Sequence, residues 1–317
     1  MVILLPANLE KWANPTSDEF ETAIDRAIEA ITAQKRSGIM AGGEISGTLV
    51  EIREVDNLIV VSDLHGDFEC FSQILKEINY ASYLSDARNK LVFLGDYVDR
   101  GSDSVAVLYS VCQLKAEHPN SIVLMRGNHE APSEFPFASH DFPFQLVDRF
   151  GEAAAKAIYR RTLQFFKELV IAAIVANRIL LVHGGLPTQD IISNYRTHLS
   201  TAQENHTKNS VLEEVLWNDP RQIDSIAGWE NSRRGIGRHF GEEITKKWLE
   251  ISGTKCVVRG HEPCPGFRID HDGRILTLFS SRDPYPSFKA AYLSMTRADL
   301  QNIRDARDLI PFVKYPQ

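Results

Sequence analysis

Six side chains able to bind a metal ion, Asp63, His65, Asp96, Asn128, His183 and His261, each follow closely on a short apolar run of a 317-residue chain. They sit in the stretches SDLHGD, GDYVDRG, RGNHE, HGG and RGHEP. Read singly, each has a plain structural explanation. Asp67 caps a following helix, Gly184 and Gly185 make a turn, Ser102 or Asp103 caps the helix after GDYVDRG, and a lone histidine is a satisfied polar group. Five such clusters at five strand ends argue instead for one shared site, because ligands of α/β folds gather outside the carboxyl ends of the strands.

The inventory decides the kind of site. Two aspartates, one asparagine and three histidines form a mixed oxygen and imidazole set without thiolate, which suits manganese, iron or zinc better than magnesium or calcium. Six protein ligands are too many for one open catalytic ion, whereas two ions sharing a bridging carboxylate use them and leave room for water. Two divalent ions against two aspartates leave a charge of about +2, which matches a phosphate ester. Such a centre brings a bridging hydroxide within reach of neutral pH and clamps the oxygens of an in-line displacement. Arg100 can grip two phosphate oxygens from beside it.

Short buried strands must position these groups. NLIVV (57–61), KLVFL (90–94), SIVLM (121–125), RILLV (178–182), KCVV (255–258) and RILTLF (274–279) are rich in Val, Ile, Leu and Phe and end in Gly- or Asp-containing turns. Helical segments from Asp67 and Asp103 alternate with them, which predicts α/β architecture. Residues 17–35 place Phe20, Ile24, Ala27, Ile28 and Ile31 on one helical face behind a Ser17/Asp18 cap. This predicts an amphipathic helix packed on the main body. Residues 196–210 read as a surface loop or insertion, and 297–310 as a short terminal helix. The expected division is an N-terminal helical segment (1–44), a catalytic domain (45–295) and a C-terminal tail (296–317).

Composition is that of an ordinary soluble protein, 43% hydrophobic and 24% charged. A formal net charge of −7 gives no global reason to expect nucleic-acid binding. The apolar run VILLP is too short for a signal-peptide core, and no stretch reaches the roughly 20 apolar residues of a membrane helix. A cytoplasmic location follows as the expectation. Cys70, Cys112, Cys256 and Cys264 lack CxxC spacing and are expected to be reduced.

GDYVDRG, RGNHE and HGG, together with SDLHGD, LWNDP (216–220), RRGIGRHFG (233–241) and RGH, resemble the metal-dependent phosphoprotein phosphatases, the PPP family of serine/threonine phosphatases within the calcineurin-like metallophosphoesterases. The motifs run in order over roughly residues 45 to 290, which makes the match far more specific than a lone motif. The resemblance implies a central β-sandwich of two mixed sheets flanked by helices. It implies one metal on Asp63, His65 and Asp96, and a second on Asp96, Asn128, His183 and His261, with Asp96 as the bridge. It further implies His129 as the general acid, Asp99 as the carboxylate that orients and charges it, and Arg100, Arg234 and Asn128 as phosphate contacts. Two divalent ions per chain are the expected cofactor, manganese first, with iron or zinc as alternatives.

Two stretches depart from the family pattern, APSEFPFASHDFPFQLVDRFG after RGNHE and FSSRDPYPSF (279–288) in place of FSAPNY. In the second, Tyr285 would supply the aromatic hydroxyl near the phosphate from a shifted register. The expected activity is hydrolysis of phosphoserine and phosphothreonine monoesters in proteins. A symmetric dinucleoside polyphosphate hydrolase is the alternative within the superfamily, though its relatives tend to show GNHD where this chain has GNHE. A catalytically silent partner-binding scaffold is the alternative from another class, and it would be expected to have lost a ligand or the acid. Phosphorylated proteins or peptides are the expected partners, with regulatory proteins left open and no nucleic acid or membrane.

Overall fold

The computed structural model describes residues 7–189, 194–204, 207, 208 and 210–317. The run VILLP lies outside the described residues, as do residues 205, 206 and 209 of the expected insertion. Within that insertion, Tyr195–Ser200 is helical and Ala202–Glu204 forms a 3-10 turn.

Two sheets face each other. One has five strands in the order Val313–Lys314, Tyr292–Thr296, Asn57–Val61, Asn89–Phe93, Ile122–Leu124. The other has eight, including Leu49–Ile52, Ala172–Val175, Ile179–Val182, Cys256–Arg259 and Ile275–Leu278. Both contain parallel and antiparallel pairs, so the expected mixed-sheet sandwich is what forms. Side chains of a strand alternate between faces, and the core divides accordingly. Leu58, Val60, Val92 and Val123 meet Val50, Ala173, Leu181 and Val258 between the sheets. Ile59, Val61, Leu91 and Phe93 turn outward against helices, while Leu180, Val182 and Val257 do the same on the other side. Both faces are buried, which is why these strands read as unbroken apolar runs.

Helix Ser17–Ser37 buries Phe20, Ala23, Ile24, Ala27 and Ile31, and its N-cap is Thr16, paired with Glu19 in a capping box. The cap therefore lies one residue before the expected Ser17/Asp18, because the Thr16 hydroxyl and the Glu19 carboxylate satisfy each other's backbone N–H groups. Asp67 and Asp103 cap their helices as expected, accepting from the N–H groups of Cys70 and Ala106. The terminal segment is divided into a helix over Arg297–Gln301 and a 3-10 helix over Ala306–Phe312 that contains Pro311. All four cysteines are buried and free. Among the described residues, no helix is long and apolar enough to cross a membrane.

One buried lysine ties the long N-terminal helix to the sheet. Lys115 Nζ donates to Gln34 Oε1 at 2.7 Å, Pro119 O at 2.9 Å and Ile122 O at 2.8 Å, and burial pushes its pKa down to about 7. Lys115→Met takes a donor from three acceptors, of which Pro119 O keeps the Gln34 amide at 2.8 Å, and is expected to cost about 2–4 kcal/mol. Between about pH 7 and 10 the unfolded chain holds a proton on this lysine that the folded chain has released, so wild-type stability gains with pH. The gap between wild type and variant should therefore widen as the pH rises, which urea denaturation at pH 7 and pH 9 will show.

Candidate metal centre

The strands Asn57–Val61, Asn89–Phe93 and Ile122–Leu124 run parallel, as do Ile179–Val182 and Cys256–Arg259. The turns beyond their carboxyl ends bring together Asp63, His65, Asp96, Asn128, His183 and His261, all buried. These turns are tight. His65, Asp96, Asp99, Arg100 and His261 all have positive φ, between 44° and 71°, a conformation that costs non-glycine residues energy and clusters at functional sites. Gly95 (φ 110°) lets the end of its strand pass so close to Gly127 that a Cβ would collide with that backbone. This explains the glycine at the point where the apolar run KLVFL stops.

Tautomers follow from the hydrogen bonds. His65 donates from Nδ1 to Val98 O at 3.1 Å, which leaves the Nε2 lone pair facing Asp96 Oδ2 at 3.5 Å and Asp63 Oδ1 at 4.0 Å. Burial pushes the His65 pKa down to about 3, so this ring is neutral. His65 Nε2 and Asp96 Oδ2 are buried without a hydrogen-bond partner. Two electron-rich atoms facing each other away from the surface repel unless a cation lies between them.

On the opposite side of Asp96, His183 lies with Nε2 at 3.4 Å from Oδ1. Its Nδ1 bonds Leu94 O at 3.0 Å, and its Nε2 bonds Asn128 Oδ1 at 3.0 Å. His261 Nδ1 reaches the same Asn128 oxygen at 2.8 Å. Although burial works against it, the charges of Asp96, Asp63 and Glu130 raise His183 to about 9. Burial, His183 and two arginines hold His261 well below its ordinary value. Asp96 is buried too, yet the imidazoles of His183, His129 and His65 hold it well below the carboxylate range. Metal ligands must shed protons to bind, and a cation would take the place of the His183 proton.

His65, Asp96 and His129 offer ligand atoms within 4.8 Å of one another, and so do Asp96, His183 and His261. Asp96 belongs to both groups, as a bridging carboxylate must. Asp63 stands at the edge of the first group, its carboxylate accepting from the Ser62 hydroxyl and the His261 backbone N–H. Burial and the nearby Asp96 charge raise its pKa. The donor set and the orphaned pair fit two divalent ions.

Around this centre, His129 Nδ1 lies 2.6 Å from Asp99 Oδ2 and His129 Nε2 lies 3.0 Å from Arg100 Nη2. Arg100 Nη1 donates to the Tyr285 hydroxyl at 2.6 Å. Tyr285 is held by stacking on Phe288 and by an edge contact with Phe279, while Asp283 accepts from the Ser102 N–H. Arg234 is directed elsewhere, to His261 Nε2 at 2.5 Å and Asp219 Oδ2 at 3.5 Å.

Three further residues support the ligands and the acid, in roles that the sequence does not assign. Glu130 accepts from the backbone N–H groups of Asp96, Tyr97 and Gly127 at 2.7–2.9 Å and so locks two ligand turns together. Its place in RGNHE was the available signal. Arg259 joins Asp219 to Glu262, and its guanidinium precedes RGH's histidine by two residues. His140 bonds Asp99, and nothing in its segment's pattern marked it.

Residues 57–265 match the family described as calcineurin-like phosphoesterase. Serine/threonine-protein phosphatase T of Aspergillus oryzae is 32% identical over 242 residues, covering 74% of this chain and 47% of that protein. Serine/threonine-protein phosphatase 5 of Homo sapiens is 30% identical over 262 residues, covering 80% and 49%. The chain thus spans about half the length of these curated relatives. A solved structure of a protein serine/threonine phosphatase from Saccharomyces cerevisiae, with similarity to human phosphatase PP5, superposes with a TM-score of 0.73 at 23% identity. It covers 96% of this chain and 90% of that one, a likeness of fold.

Proposed function

Because the chain belongs to the calcineurin-like phosphoesterase family, within its phosphoprotein phosphatases, we propose that it hydrolyses phosphoserine and phosphothreonine monoesters in proteins. The observation that carries the reading is the convergence on Asp96 of two ligand groups beside a His129–Asp99 pair and an exposed Arg100. Asp63, His65 and Asp96 would hold one ion, and Asp96, Asn128, His183 and His261 the other. Two divalent ions there, manganese first, would supply hydroxide near neutral pH and polarise the phosphoryl oxygens.

The chain's own groups do the rest. Arg100, with Tyr285 at its other side, grips the phosphate, and Arg234 turns from His261 to join it, with Asn128 beneath. His129 presents Nε2 toward the leaving oxygen and gives it a proton, while Asp99 fixes the ring through Nδ1. The reading also places the protein in the cytoplasm, acting on phosphorylated proteins or peptides, with no part for nucleic acid or a membrane.

The test is turnover of a phosphoserine peptide panel by metal-stripped protein, with manganese, iron and zinc restored separately. Release of phosphate from the peptides only after a metal is restored supports the reading. Turnover of diadenosine tetraphosphate with none of the peptides would replace it by the dinucleotide hydrolase, and inactivity on both would leave the scaffold.

A further inference from the structure

Asp99 has more partners than the orientation of one histidine requires. Its Oδ2 meets His129 Nδ1 at 2.6 Å and His140 Nδ1 at 2.9 Å. Its Oδ1 accepts from the backbone N–H groups of Asp141 and Phe142, each at 2.9 Å. The carboxylate is fully buried. Burial opposes its charge, but these bonds and the two imidazoles hold it well below the carboxylate range.

His140 is itself fixed. Its Nε2 lies 2.8 Å from the Tyr159 hydroxyl, on the helix Glu152–Glu168. Phe137 touches both imidazoles edge-on, with ring centroids 4.5 Å from His129 and 5.6 Å from His140, and reaches Trp217 at 5.9 Å. Three of Asp99's four donors thus come from residues 140–142, part of the Phe- and Pro-rich stretch that departs from the family pattern.

A carboxylate shared by two imidazoles is held in position by both. We infer that His140 is a positioning residue for the proton-donating His129, acting through Asp99 and anchored by Tyr159. Without the Nδ1–H of His140, Oδ2 has one donor in place of two, and the Asp99 side chain can rotate about its bonds to the backbone of 141 and 142. The His129 ring then loses its fixed aim at the leaving oxygen, and misplacement by about 1 Å is worth up to about 10²-fold in rate. His140 touches neither substrate nor metal, so its loss must appear only where a leaving group needs the proton.

The inference rests on the proposed phosphoesterase reaction but not on its substrate. The experiment compares phenyl phosphate, whose leaving group resembles a tyrosine side chain (pKa about 10), with activated 4-nitrophenyl phosphate, in the metal-loaded protein. His140→Ala should lower kcat on phenyl phosphate about 10- to 100-fold, with KM changed less than about 2-fold and kcat on 4-nitrophenyl phosphate less than about 3-fold. His140→Asn, whose amide nitrogen can take the place of Nδ1, should recover most of the loss. Equal losses on the two esters, or an asparagine variant no better than alanine, would overturn the inference. Should His140→Ala fail to fold, Tyr159→Phe removes only a hydroxyl and must shift the ratio the same way to a smaller degree, an unchanged ratio counting against it. Independently of turnover, proton NMR of the zinc-loaded protein should show, among its downfield imidazole N–H resonances, one each from His129 and His140 on Asp99, the His140 signal lost in His140→Asn while that of His129 moves. A His129 resonance that stays in place contradicts the coupling. If wild type cleaves both aryl esters but no phosphoserine peptide, the substrate reading fails while the ester ratio still decides the role of His140.

Discussion

Asp96→Asn is expected to strip the protein of both metals and to lower activity by more than about 10²-fold. The carboxylate faces His65 through Oδ2 at 3.5 Å and His183 through Oδ1 at 3.4 Å, so each oxygen belongs to a different ligand group. Groups that merely support metal ligands cost about 10- to 100-fold when lost, and a shared ligand must cost more. The asparagine amide also replaces an anion with a neutral dipole whose nitrogen cannot bind a cation. The variant should remain folded, since the backbone of residue 96 is still held by Glu130 at 2.7 Å. Elemental analysis of the purified variant, with circular dichroism as the control for folding, checks this; two ions per chain in the variant would reject Asp96 as the bridge.

His129→Asn is the second large effect, and its signature is selectivity. General acid catalysis is worth about 10²–10⁴-fold for a poor leaving group, so kcat for a phosphoserine peptide should fall by that order. An activated aryl phosphate leaves without a proton and should be spared. Nδ1 is committed to Asp99 at 2.6 Å, so only Nε2, which accepts from Arg100 Nη2 at 3.0 Å, is left to take up and pass on a proton. Equal losses on peptide and aryl ester, read from kcat under saturating substrate, would remove His129 from the acid role.

The parts of the molecule legible in the sequence share a physical cause. A strand buried on both faces must be apolar throughout, so a polar group directly after it marks the place where the chain leaves the core. Asp63, Asp96, Asn128, His183 and His261 announce themselves that way. Strands without that contrast do not stand out in the sequence. Leu49–Ile52 carries Glu51 at its half-buried position, Ala172–Val175 is half alanine, and Tyr292–Thr296 is broken by Ser294 and closed by Thr296. The hairpin between Ala172–Val175 and Ile179–Val182 turns at Ala176 and Asn177, with φ of 51° and 52°, where glycine would have been the recognisable signal.

The support around the ligands was harder to see, because it depends on contacts across the chain. Asp99 and His140 are 41 residues apart, and the stretch between Ala131 and Asp141 has no period that would orient a side chain. Tyr285 is expected near the phosphate only through the family resemblance, and its 2.6 Å bond to Arg100 is a contact that the FSSRDPYPSF stretch does not announce. Arg234 could be named from its motif but not aimed, because the distance between His261 and Asp219 is a property of the folded site.

Everything in this account depends on the six strand-end side chains acting together on a pair of ions. The most direct measurement is a metal titration of the stripped wild-type protein, followed by elemental analysis after gel filtration. Bound manganese or zinc should rise to a plateau of two ions per chain, with phosphatase activity appearing as the second ion binds. A plateau at one ion, or full activity in the stripped protein with chelator present, would contradict it.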